Sequence, residues 1–93
     1  MREPTNQEIL DILAEECNEV GHIVSKIRRF GMDSVHPKGN GITNKAHLRF
    51  EILDVISMIR WAEQAQVLPP ILTDEVLLHT KNKQQKVRRY LRE

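Results

Sequence analysis

The apolar pattern of a long amphipathic helix occupies residues 9–30, which have the sequence ILDILAEECNEVGHIVSKIRRF. Successive residues of an α-helix advance by about 100° around its axis. When Glu16 is placed at zero, the apolar side chains of one stripe fall within roughly 60° of it. These side chains are Ile9, Leu13, Val20, Ile23 and Ile27. The pattern predicts that Glu16 points into the apolar stripe of a long helix.

Start and stop signals set the limits of this first helix. Thr5 and Glu8 form a Thr-x-x-Glu capping box, and Gly31 follows Phe30 as a stop signal. The stretch 31–41 is rich in Gly, Pro and polar residues. We therefore expect a helix that runs to Phe30 and then a loop.

A second helix is predicted from a Thr43 cap to about Ala65, before the chain is broken at Pro69-Pro70. A third should restart at the Thr73 cap and run to about residue 91. Its apolar stripe is thinner than that of the first helix. No period-two alternation occurs, so the sequence predicts an all-α protein in which an antiparallel helical hairpin is followed by a C-terminal helix.

Ninety-three residues suit one small domain, predicted here as 1–93 with a core at about 5–66 and the C-terminal helix at about 73–91. A chain this short buries only a modest fraction of its surface. We therefore expect homo-oligomerisation to complete a four-helix-bundle-like core. The formal net charge of +1 argues against a general affinity for nucleic acid or acidic membranes.

The compartment is predicted to be the cytoplasm. No run is long enough to span a bilayer, and the start Met1-Arg2-Glu3-Pro4 lacks the apolar core of a signal peptide. The single cysteine, Cys17, excludes an internal disulfide and fits a reducing compartment. Because Cys17 lies about 100° from Glu16 on the helix, we expect it at the edge of the core.

Four carboxylates lie on or beside the apolar stripes, namely Glu16 and Glu19 on the first helix and Glu51 and Asp54 on the second. A spacing of three residues places two side chains about 60° and one turn apart, so both can reach one cation. Buried, unpaired carboxylates cost several kcal/mol each. The spacing therefore predicts a divalent-cation site between two helices, with solvated acidic faces as the alternative.

Three short stretches of the two predicted hairpin helices contain these carboxylates and the nearby basic residues. They are LAEECNEV at 13–20, SKIRRFG at 25–31 and EILD at 51–54. Together they resemble the EExxE and ExxD signature of the MazG-like all-α nucleoside triphosphate pyrophosphohydrolases, a superfamily that includes the dimeric dUTPases. The resemblance covers about residues 8 to 65 and is to the short single-domain members often encoded by phages and prophages. The gap between Glu19 and Glu51 is longer than the family's usual spacing, which makes the intervening loop a local elaboration.

The resemblance implies Mg²⁺-dependent hydrolysis of a nucleoside triphosphate to the monophosphate and pyrophosphate. The biological role that it implies is the removal of non-standard or surplus nucleotides. It implies that Glu16, Glu19, Glu51 and Asp54 ligate Mg²⁺, with Mn²⁺ as the alternative ion. Glu15, Glu16 and Glu19 are the catalytic candidates; Glu15 could orient or deprotonate the attacking water, or could be solvated. The resemblance also implies a homodimer or a dimer of dimers.

Three further residues are candidates for substrate binding. Lys26 follows Glu19 by seven residues, about 10 Å along the same helix face, and Arg29 lies on an adjoining face. Both could bind phosphate, or could simply complement the negative end of the helix. Trp61 stands in the same relation to Asp54 and could stack on a nucleobase, or could belong to the core or a subunit interface.

The histidines and the C-terminal basic residues complete the candidates. The four histidines have no ligand spacing for zinc, but His47 lies one turn before Glu51 and could hydrogen-bond to it. The segment 81–92 is basic, which leaves a non-catalytic nucleic-acid-binding or regulatory protein as the alternative function. Its basic residues are Lys81, Lys83, Lys86, Arg88, Arg89 and Arg92. We rank this reading below the enzyme because such a run is more often a solvated face.

Overall fold

The computed structural model contains three α-helices, α1 (Asn6–Phe30), α2 (Asn44–Gln64) and α3 (Thr73–Arg92). It describes residues 1–39 and 41–92, so Asn40, in the predicted loop, and Glu93 lie outside the described residues. No strand occurs within these ranges; the one β feature found there is an isolated antiparallel bridge between Val35 and Thr43. The predicted all-α class is confirmed.

Thr5 and Thr43 cap α1 and α2 as the sequence predicts. The predicted cap of the third helix is wrong, because Thr73 is itself the first residue of α3 and the preceding Leu72 carbonyl already accepts a helical hydrogen bond from the Val76 N–H. The Thr5 side chain accepts a hydrogen bond from the Glu8 backbone N–H at 3.1 Å, and the Glu8 carboxylate accepts one from the Thr5 N–H at 2.9 Å. Gly31 ends α1 with a φ of +94°, a conformation that a residue with a Cβ rarely adopts. Thr43 caps α2 by accepting a hydrogen bond from the Ala46 N–H. Both helix starts are therefore fixed locally.

The core lies between α1 and α2, which pack together as a hairpin. Ile9, near the start of α1, meets Met58 and Ala62, near the end of α2, so the two helices are antiparallel. Partly buried apolar residues surround this cluster, namely Leu13, Ala65, Val67 and Leu68. Cys17 is exposed, so its predicted place at the core edge is wrong. The reason is that α2 covers a narrower sector of α1 than the 100° offset of Cys17 from Glu16.

Helix α3 packs on neither α1 nor α2, and all of its described residues are exposed. Its start is held by Glu63, whose carboxylate accepts hydrogen bonds from the Ile71 N–H at 2.6 Å and from Arg60 at 2.8 Å. These two bonds lower the pKa of Glu63, with the Ile71 bond the larger cause. The segment between α2 and α3 is therefore held by hydrogen bonds, whereas α3 itself packs against neither of the other helices.

The dimensions of the chain reflect this arrangement. The radius of gyration is 16.4 Å, whereas a compact domain of this length has about 12 Å. The accessible surface is 7991 Å², whereas a compact protein of 10.9 kDa exposes about 5,600 Å². None of the described helices combines the length and the apolar character that crossing a membrane requires.

Candidate metal centre

Three carboxylates from the two helices of the hairpin converge at the middle of the α1–α2 groove. Glu16, Glu51 and Asp54 each place one carboxylate oxygen within 4.8 Å of the other two. Glu16 and Glu51 are half-buried, and Asp54 is exposed. Three of the four predicted ligands are thus brought together, although Glu51 and Asp54 follow Glu16 by 35 and 38 residues in the sequence.

The position of Glu16 follows from the helical pattern. Ile9 and Ile23, seven residues before and after it, are 1% and 2% exposed. Seven residues are close to two helical turns, so Glu16 lies on the line between them, on the face that α2 covers. On α2, Glu51 stands in the same relation to the buried Met58. Both carboxylates are therefore carried into the groove by helices whose apolar faces must pack.

This placement raises the pKa of Glu16 above its ordinary value. Partial burial is the largest cause, and repulsion by Asp54 and then Glu51 adds to it. The charges of Glu19 and Glu15 contribute in the same direction. A carboxylate in these surroundings is stabilised by any positive charge that enters the group.

Protein cations supply little of that charge. Among the ion pairs of the described residues, the one that reaches this group joins His47 Nε2 to Glu51 Oε1 at 3.2 Å. The histidine is one turn before the glutamate, and the predicted hydrogen bond between them is present. It orients one oxygen of Glu51 without neutralising Glu16 or Asp54.

The donor set fits a hard divalent cation. Mg²⁺ binds oxygen at about 2.1 Å in an octahedron, which separates neighbouring ligand oxygens by roughly 3 Å and opposite ones by roughly 4.2 Å. The upper limit of 4.8 Å between the carboxylate oxygens lies slightly outside this range, so small side-chain rotations suffice to bind. Carboxylates alone do not distinguish Mg²⁺ from Mn²⁺.

The remaining acidic candidates lie beside this group. Glu19 and Glu15 are exposed, and neither belongs to the set of three converging carboxylates. Both are close enough for their charges to raise the pKa of Glu16. Glu19 therefore extends the acidic face by one turn along α1, and its role as a fourth ligand stays a prediction.

The three predicted substrate-binding residues occupy different places. Lys26 is half-buried and lines two adjoining cavities next to the interhelical loop. Arg29 is exposed, and its guanidinium carbon lies 5.1 Å from the centre of the Phe30 ring. Trp61 is 39% exposed and lines neither of those cavities.

Sequence reasoning missed the wall that the loop builds beside Lys26. His36 and Asn44 line both cavities there. Asn44 is 8% exposed and is the one buried polar side chain of the described residues. Its position directly after the Thr43 cap gave no sign of this, because the burial arises from contacts with the end of α1.

No protein family, curated protein or solved structure matches this chain in comparisons with known proteins.

Proposed function

We propose that this protein is a Mg²⁺-dependent nucleotide pyrophosphohydrolase, which converts a nucleoside triphosphate or its deoxy form into the monophosphate and pyrophosphate. The observation that carries the proposal is the convergence of Glu16, Glu51 and Asp54 within 4.8 Å across two helices. A second support is the raised pKa of Glu16, which a bound cation would reverse. The resemblance of the sequence to the EExxE and ExxD motifs supports the choice of pyrophosphate-releasing hydrolysis as the reaction.

In this proposal Glu16, Glu51 and Asp54 hold the cation, and Glu19 joins them from the next turn of α1. The bound cation would supply polarisation of the α-phosphate and a lowered pKa for the attacking water. Glu15 orients or deprotonates that water from the edge of the group. The hydrogen bond from His47 keeps Glu51 in a fixed orientation.

Phosphate binding falls to the basic residues late in α1. Lys26 is half-buried beside the groove, where its ammonium group can neutralise phosphate oxygens. Arg29 lines neither cavity, and its guanidinium carbon lies 5.1 Å from the centre of the Phe30 ring. We therefore assign Lys26 the larger share of phosphate binding.

Self-association is part of the proposal. The accessible surface exceeds that of a compact protein of this mass by roughly 2,400 Å², whereas a standard interface buries about 800 Å² per partner. Large apolar side chains are exposed on both helices, including Phe50 and Ile56 on α2 and Leu77 and Leu91 on α3. A homodimer or a dimer of dimers would cover them.

A screen for pyrophosphate release tests the enzyme proposal. The purified protein is incubated with the common ribo- and deoxynucleoside triphosphates in Mg²⁺, Mn²⁺ or EDTA, and products are separated by chromatography. We expect a monophosphate and pyrophosphate in equal amounts with either metal, and no products in EDTA. The double variant Glu16→Gln/Asp54→Asn serves as the purification control for contaminating phosphatases. A Mg²⁺-replete sample that turns over no member of the panel would overturn the proposal.

A second candidate function is nucleic-acid binding by α3. Within Thr73–Arg92 there are six Lys and Arg against Asp74 and Glu75, which gives a net charge of +4. Gln85, Arg88, Arg89 and Arg92 lie together on one exposed surface of the helix. This reading predicts salt-dependent retention on single- or double-stranded DNA that Arg88→Ala/Arg89→Ala weakens and Glu16→Gln leaves intact. The enzyme proposal predicts the opposite dependence for turnover.

A further inference from the structure

The loop between α1 and α2 builds two adjoining cavities. The larger, of about 480 Å³, has Phe30, Val35 and Pro37 among its walls. The smaller, of about 330 Å³, is lined partly by Gly39 and His47. Lys26, His36 and Asn44 line both. We call the larger cavity the loop pocket; its volume is in the range of small-ligand sites.

Three hydrogen bonds tie residues 31–34 at the start of the loop to the first turn of α2. The Asn44 N–H donates to the Ser34 carbonyl at 2.9 Å, and the Lys45 N–H donates to the Met32 carbonyl at 2.9 Å. The Asn44 side-chain amide donates to the Gly31 carbonyl at 3.0 Å. These bonds and the bridge between Val35 and Thr43 brace the loop beside the pocket, which lowers the cost of ordering it around a ligand.

The pocket is connected to the metal centre by a short polar path. His47 lines the smaller cavity and lies 3.2 Å from Glu51, one of the three converging carboxylates. Lys26 lines both cavities. The three carboxylates, the smaller cavity and the loop pocket therefore follow one another along the hairpin. The ammonium group of Lys26 lies beside the two cavities.

The chemistry of the loop pocket favours a heteroaromatic ring over a phosphate. Three apolar walls offer nothing to a phosphate, and Lys26 is the one Lys or Arg among its lining residues. A planar base needs apolar faces and a few hydrogen-bonding groups at its edge. The hydroxyl of Ser34 and the side chain of Asn44 supply such groups.

His36 adds a donor of defined identity. The Lys38 backbone N–H donates to His36 Nδ1 at 3.0 Å, so Nδ1 carries no proton. In the neutral imidazole the proton is then on Nε2, which is a hydrogen-bond donor. A base carbonyl or a sugar oxygen is a suitable acceptor for it.

We infer that the loop pocket binds the nucleoside part of the substrate, with the base between Phe30, Val35 and Pro37 and the sugar in the smaller cavity. The inference rests on the proposed function and assigns its recognition site. It places the base at the loop end of the hairpin, and thus assigns to Phe30 the stacking role that the sequence suggested for Trp61. Lys26 then meets the phosphate next to the sugar.

Binding of unphosphorylated nucleosides to the full-length protein without metal tests this inference. The probes are the four common ribonucleosides and their deoxy forms, followed by amide chemical shifts of the ¹⁵N-labelled protein. We expect at least one nucleoside to shift the amides of Val35 and His36 in a saturable manner. Phe30→Ala should weaken that binding about tenfold or more, because base–aromatic stacking is lost. The matched control is Met32→Ala, since Met32 is 59% exposed and Phe30 61%.

The outcomes separate this inference from the enzyme proposal. If pyrophosphate is released but no nucleoside shifts these amides, the pocket assignment is wrong while the enzyme stands. If inorganic tripolyphosphate, and not a nucleoside, shifts them, the pocket binds phosphate and the inference is overturned. Equal weakening by Phe30→Ala and Met32→Ala would also overturn it. If Glu16→Gln still binds a nucleoside but hydrolyses no nucleoside triphosphate, the result supports the pocket assignment independently of the enzyme proposal.

Discussion

The hairpin and α3 are both built from amphipathic helices, yet only the hairpin has covered its apolar stripe. In α1 the stripe contains Ile9 and Ile23, which α2 buries to 1% and 2% exposure. In α3 the corresponding residues are open, with Leu77 65% and Leu91 74% exposed. Similar patterning therefore has opposite outcomes within one chain.

The difference lies in the connections. The loop after α1 is held by Asn44 and reverses the chain, so α2 returns along α1. The segment after α2 contains Pro69-Pro70 and is fixed by the bond between Glu63 and the Ile71 N–H, and it directs α3 away from the hairpin. The stripe of α3 is also interrupted by Thr80 and Gln84. An amphipathic pattern thus predicts a surface that needs covering, but not the partner that covers it.

The largest expected effect tests whether the chemistry belongs to the hairpin alone. Glu16→Gln should lower kcat for pyrophosphate release by about 10³-fold or more. A metal centre stabilises the transition state by several kcal/mol, and each 1.36 kcal/mol changes the rate about tenfold. Asp74→Asn is the matched control on α3 and should change kcat by less than about twofold. Initial rates at saturating Mg²⁺ measure both. Comparable losses in the two variants would refute a site confined to α1 and α2.

The second prediction concerns where folding stability resides. Ile9→Ala should lower the free energy of unfolding by about 2–5 kcal/mol, because it opens a cavity beside Met58 and Ala62. Leu78→Ala removes the same kind of side chain from a site that is 62% exposed, and should cost less than about 0.5 kcal/mol. Urea denaturation followed by circular dichroism compares them. A larger cost for Leu78→Ala would mean that α3 is part of the folded core.

The fold and part of the site could be predicted because both depend on local spacing. The cap at Thr5 and the i, i+4 bond between His47 and Glu51 involve residues within one turn of each other. The convergence of Glu16 with Glu51 and Asp54 follows once each helix must bury its own stripe. Periodicity fixes which side chains lie on the apolar face of each helix, and the short loop that returns α2 along α1 then brings the two faces together.

The loop pocket could not be predicted in the same way. It depends on the bond between the Asn44 amide and the Gly31 carbonyl, thirteen residues apart, and on the bridge between Val35 and Thr43. Composition identifies such a stretch as a loop but carries no information on these pairings. Glu19 is exposed although it lies only about 60° around α1 from Glu16, and the sequence of α1 does not show how far α2 covers that side.

The third prediction sharpens the role of α3 in assembly. Leu91 is on the same face as Val87 and Val76, whereas Leu78 is on the opposite face. If the stripe is covered by another copy, Leu91→Ala should raise the dissociation constant of the oligomer about tenfold, and Leu78→Ala should leave it within about twofold. Sedimentation velocity over a range of protein concentrations measures both constants. Equal effects would place the interface elsewhere, with the apolar outer face of α2 as the next surface to test.

The smallest expected effect is a pH dependence that arises in the hairpin and not in α3. Because the pKa of Glu16 is raised by burial and by its acidic neighbours, the folded metal-free protein binds this proton more tightly than the unfolded chain does. Stability from Glu16 is thus greatest below its ordinary pKa of 4.5 and is lost as the pH rises through the higher folded value. Glu8 acts in the opposite sense, since Arg2 and the Thr5 cap lower its pKa to about 2.

The contribution of Glu8 cancels when wild type is compared with Glu16→Gln, because both proteins keep the Arg2 pair and the cap at Thr5. The Tm of Glu16→Gln minus that of wild type, measured in EDTA, should therefore increase from pH 4 to pH 7 as the wild-type carboxylate ionises. Saturating Mg²⁺ should reduce the difference at pH 7, because it stabilises the ionised Glu16 of the wild type. Asp74→Asn should give a difference that is flat over this range. If the Tm difference for Glu16→Gln is also independent of pH, burial and the neighbouring carboxylates do not raise the pKa of Glu16.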